Sequence, residues 1–88
     1  MTVKEIKELI KDTGYCFDTY HDFSGINDRR RENHNALIKE NIRLVAANAK
    51  RTKWNVLKVN SDSNPPLTVI ATHLNFEDAM KLGDGLSK

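Results

Sequence analysis

Four side chains in this chain of 88 residues could take part in nucleophilic or metal chemistry: Cys16, His21, His34 and His73. A cysteine nucleophile needs a base in reach and surroundings that favour the thiolate. Asp18 lies two positions from Cys16, on the same face of a strand, and its carboxylate would oppose thiolate formation. Cys16, His21 and His34, with Asp18 or Asp22, hold the right atom types for a metal. Their spacing matches no zinc finger or knuckle, and a single cysteine is available. No glycine-rich phosphate loop, serine elbow or HExxH motif is present. The expected class is therefore a non-catalytic protein with no metal and no cofactor.

Charge points to binding instead. Residues 12–28 hold Asp12, Asp18, Asp22 and Asp28 and no Lys or Arg. Residues 29–58 hold nine cations against two glutamates, so an acidic aromatic stretch precedes a basic one. Tyr15, Phe17, Tyr20, His21 and Phe23 put five rings into the acidic stretch, and aromatics beside loops often anchor partners. Arg29, Arg30 and Arg31 follow at once. In the first turn of a helix their guanidinium forks would join free backbone amides as a receptor for phosphate or carboxylate. The predicted partner-binding surface is Tyr20, Asp22, Phe23, Arg29, Arg30 and Arg31. An alternative surface, Lys50, Arg51, Lys53, Trp54 and Lys58, would bind nucleic acid by phosphate contact and stacking. The net charge of +2 is low for a general nucleic-acid binder.

The elements that must position these residues read as follows. Thr2 and Glu5 form a capping box for a helix over residues 3–13, with Gly14 as its C-cap. Residues 15–20 read as a short strand, with an aromatic loop as its rival, and Ser24 and Gly25 break that pattern. Asp28, or Asn27 before it, caps a long helix to Arg51, where Ile38, Ile42, Val45 and Ala49 form an apolar seam. Such a helix would be about 35 Å long. His34, Asn41 and Asn48 recur every seven residues along it, next to Leu37 and Leu44. Buried asparagines at that spacing set register in coiled coils, so these five residues are the predicted homodimer interface.

Trp54–Val59 and Leu67–Leu74 read as a hairpin around the turn cluster Ser61, Asp62, Ser63, Asn64, Pro65 and Pro66. Asn75 caps a last helix over 76–82, ended by Gly83. The fold class expected is α+β: a short helix, a short strand, a long central helix, a β-hairpin and a short helix, with a small antiparallel sheet packed on the long helix. One domain spans 1–83, with a frayed tail over 84–88.

No apolar run reaches the roughly 20 residues of a membrane span, and the N-terminus has no signal core. A single cysteine fits a reducing, cytoplasmic setting. The small size, missing catalytic motifs and Asn- and Lys-rich composition are in the style of phage or mobile-element accessory proteins. The function expected is a regulator or inhibitor that binds a protein partner, with an anionic ligand or nucleic acid as the alternative.

Overall fold

The computed structural model describes residues 1–23, 25, 28–62 and 64–86. The strand break expected at Ser24, the cap at Asn27, the turn position of Ser63 and the tail residues 87 and 88 lie outside them. The chain runs α1 (Val3–Ile10), β1 (Cys16–Asp22), β2 (Arg29–Lys39), β3 (Ile42–Ala46), β4 (Trp54–Val59), β5 (Leu67–Leu74) and α2 (Phe76–Leu86). The five strands form one antiparallel sheet in chain order.

Local signals account for both helices. The Thr2 hydroxyl accepts from Glu5 N, and the Glu5 carboxylate accepts from Thr2 N, which closes the predicted capping box. Those hydrogen bonds hold the Glu5 carboxyl below its usual range. Helix α1 stops at Ile10, three residues short of expectation, where the Thr13 hydroxyl donates to Ile10 O at 2.6 Å. Lys11, not Gly14, is therefore the C-cap, and Gly14 takes φ +89 in the turn that follows. At the other helix, the Asn75 side chain accepts from Asp78 N at 2.8 Å. Gly83 does not end α2, which continues to Leu86, so residues 84–86 belong to the helix and Leu86 packs on the core. A Cβ at Gly83 would collide with the Tyr15 hydroxyl, so glycine is there for close packing.

The predicted long central helix is absent, and the fold class is corrected to a five-stranded antiparallel sheet with two helices. Residues 29–46 form β2 and β3, joined by a turn at Glu40 and Asn41, with Glu40 at φ +52. Across that turn Leu37 pairs with Leu44 and Ile38 with Arg43. A spacing of seven brings residues together on a helix, and it does so equally across a tight hairpin centred between them. The β-branched residues Ile38, Ile42 and Val45 favour the strand.

Phe17, Leu37, Leu44, Val56 and Ala71 form one cross-strand row. All but Ala71 are buried, and both helices cover this face through Ile6, Ile10, Phe76, Ala79 and Met80. Trp54, the first residue of β4, is fully buried, with its indole N–H donating to Arg51 O at 3.0 Å and its ring edge-on to Phe76.

Tyr15 is buried beside α2, and its hydroxyl has no hydrogen-bond partner among the described residues. The Lys39 ammonium sits over its ring and pairs with Asp84 at 3.1 Å. Burial, and then the Asp84 carboxylate, push the phenol up to about 12 from its ordinary value of 10.0. The unfolded chain thus loses this proton first as pH rises. The stability linked to Tyr15 is full below pH 10 and is lost as pH climbs towards about 12. Urea titrations across that range should show a shallower alkaline loss for Tyr15→Phe than for the parent chain. Equal slopes would refute the assignment.

Candidate binding surface on the β1–β2 arm

Strand β3 pairs with β2 only from Ala36 to Lys39. The remainder of β2, Arg29 to Asn33, pairs with β1 alone. Where the strands leave the sheet, the register slips between Phe17 and Asp18, so Phe17 faces Leu37 and Asp18 faces Asn33. The extra residues 34–36 form a bulge, which adds twist and re-aims the ribbon beyond it. His34 in the bulge packs its ring edge on Phe17 at 5.0 Å. The Arg51 guanidinium donates to His34 O and to the Asn35 side chain, both at 3.0 Å. These contacts anchor the root of a two-stranded arm about five residues, or roughly 17 Å, long.

Alternation sorts the side chains of the arm. Asp18, Tyr20, Asp22, Arg29, Arg31 and Asn33 share one face by register; Thr19, His21, Arg30 and Glu32 share the other. Arg31 pairs with Asp22, and His21 with Asp28 at 3.0 Å. Lys7 of α1 reaches Glu32 at 3.3 Å and braces the root. These ion pairs have at least one half-exposed partner and contribute at most about 1 kcal/mol each. Phe23, 75% exposed, stacks on His21, and Tyr20 is 50% exposed. Arg29 and Arg30 form no ion pair among the described residues.

The six predicted partner-binding residues therefore lie along one β-ribbon but on both its sides: Tyr20, Asp22, Arg29 and Arg31 share one face, Arg30 lies on the other, and Phe23 stacks on His21. No helix terminus lies at Arg29–Arg31. The dipole and free amides that justified an anion receptor are absent, and the three guanidinium groups divide between two faces. Asp28 caps nothing and pairs with His21.

No known family matches the chain. No curated protein and no solved structure resembles it significantly either.

The alternative nucleic-acid surface loses its stacking platform, because Trp54 is 0% exposed. Arg51 is engaged at the bulge, and Lys58 lies in β4 opposite Ile42, which leaves Lys50 and Lys53 exposed in the β3–β4 connection. The predicted dimer seam is also corrected. Leu37 and Leu44 are fully buried in the chain's own core, Asn41 sits in the β2–β3 turn, and Asn48 bonds both the backbone and hydroxyl of Thr52. With no helix, those five residues share no outward stripe.

Among the described residues, no three His, Cys, Asp or Glu side chains gather as a metal site would need. No helix among them is long and apolar enough to cross a membrane. A groove of about 400 Å³ between the helices is lined by Met1, Leu9, Phe76 and Met80, with Glu77, Lys81 and Asp84 around it. Sequence reasoning missed it because only the packing of α1 beside α2 creates it.

Proposed function

We propose that the chain is a non-catalytic, cytoplasmic binding protein, a regulator or inhibitor that docks a protein partner through the β1–β2 arm. The observation that supports this reading best is the exposure of Tyr20 and Phe23 on a projecting ribbon that also carries Arg29 and Arg30. Tyr, Phe and Arg are the residues enriched where proteins anchor one another. A lone two-stranded ribbon is marginally stable in water, so a partner that covers its rings also firms it.

The charge of the arm favours protein over nucleic acid. Asp18, Asp22, Asp28 and Glu32 face three arginines, and a polyanion would meet nearly balanced charge. The test is capture from the native host with the parent chain and with Tyr20→Ala/Phe23→Ala/Arg30→Ala. A protein retained by the parent should be lost, or bound at least tenfold more weakly, with the triple variant, since anchors cost about 2 kcal/mol or more each. Retention unchanged by the triple variant would sink this reading. Oligonucleotide binding that falls steeply with salt would replace it with the nucleic-acid alternative.

A further inference from the structure

From Arg29 to Asn33, β2 pairs with β1 on one side and, among the described residues, with no strand on the other. Alternate residues of an antiparallel strand turn their N–H and C=O groups to each edge, so this stretch offers both to solvent. Arg29, Arg30, Arg31 and Glu32 are all exposed. The free edge is about 17 Å long, room for one strand of about five residues. It ends at the bulge, where Arg51 donates to His34 O at 3.0 Å. The nearby acids are engaged: Asp22 with Arg31, Asp28 with His21 and Glu32 with Lys7. Arg29 and Arg30 have no such partner among the described residues, so the edge is cationic. The sheet's two outer edges differ. β1 carries Asp18 and Asp22, and β5 is broken by register shifts on both sides of Val56, irregularities that hinder strand addition.

We propose that the protein partner adds an extended, acidic segment to this edge, as a strand beside Arg29–Asn33. The inference rests on the arm as the docking element and adds the conformation and charge of what docks. Two features of the edge select the occupant. Its backbone groups are satisfied in series only by another extended main chain, the mode of recognition by strand addition. Its arginines then choose the side chains. Residues directly opposite across an antiparallel pair lie about 5 Å apart, so Asp or Glu beside Arg29 and Arg31 gains charge-assisted hydrogen bonds. A basic segment would set like charges against each other there. The added strand lies beyond Ala36, where β3 leaves β2, and so extends the sheet without displacing any strand. Tyr20 and Phe23 remain exposed on the arm to contact the body of the partner around that strand.

Amide NMR of the full chain, titrated with short capped peptides that alternate Thr with Glu or Thr with Lys, tests this. The Glu peptide should slow hydrogen exchange at alternate residues of Arg29–Asn33 and bind roughly tenfold or more tighter than the Lys peptide. Two further Glu peptides carry N-methyl groups, one on its Thr nitrogens and one on its Glu nitrogens. At least one of them should bind roughly tenfold or more weakly, because its pairing donors are gone. Arg29→Glu/Arg30→Glu should turn the preference towards the Lys peptide, with the fold checked by circular dichroism. No protection of these amides at millimolar peptide would overturn the proposal. So would full binding of both methylated peptides, or a preference that survives charge reversal. A captured partner that needs Tyr20 and Phe23 yet leaves these amides unprotected would overturn strand addition and leave arm docking intact. Capture indifferent to the triple variant, with the peptide still adding to the edge, would sink arm docking and support the strand.

Discussion

Trp54→Ala should lower the unfolding free energy by about 3–5 kcal/mol, the cost of deleting a large ring from a closed core. The indole is fully buried, edge-on to Phe76, and its N–H satisfies Arg51 O. Truncation would leave a cavity in the core beneath the start of β4 and an unpaired carbonyl in the β3–β4 connection. Small domains have only about 5–15 kcal/mol in all, so the variant should be marginally folded at best. Urea titration followed by circular dichroism measures the loss. The same experiment separates two roles for this residue. A tryptophan held at the surface to stack on nucleic acid would cost little stability when removed. A change within about 0.5 kcal/mol would contradict the buried position.

Gly83→Ala is the second large effect. The added methyl would meet the Tyr15 hydroxyl inside contact distance and Ile42 Cγ2 at 3.2 Å. Overpacking of this kind costs about 1–3 kcal/mol, and the better helix propensity of alanine returns at most about 1 kcal/mol. A net loss of about 2 kcal/mol is expected. Tyr15→Phe removes the oxygen that the methyl strikes, and that hydroxyl lacks a partner among the described residues, so its removal is nearly free. In a double-mutant cycle the Tyr15→Phe background should recover more than half of the loss. Full loss in both backgrounds would mean that Ile42, not Tyr15, sets the limit.

The arm and the outer sheet face pose different physical demands on the fold. The arm keeps rings and guanidinium groups in water on a ribbon that only one side of β2 supports. The sheet face turned away from the helices leaves Val69 and Leu67 59% and 47% exposed. The groove between α1 and α2 is a third concavity, lined by Met1, Leu9, Phe76 and Met80.

What the chain encodes locally, its sequence alone determined. The Thr2–Glu5 box, the Asn75 cap and the two apolar runs flanking Pro65 and Pro66 each act within a few residues, and each yields the element it predicts. The exposed rings and arginines of residues 20–31 stood in the sequence as a cluster, and the structure keeps them at the surface on one ribbon. Residues 28–51 were different. Leu37 and Leu44 stand seven apart, a spacing that serves a helical stripe and a tight hairpin alike. Asn33, His34 and Asn35 have little strand preference of their own. The choice fell to pairing with Asp18–Asp22 and Trp54–Lys58, contacts distant along the chain that no local pattern records. Hydrogen bonding and burial across five strands outweigh propensity in one segment, and only the assembled sheet holds that energy.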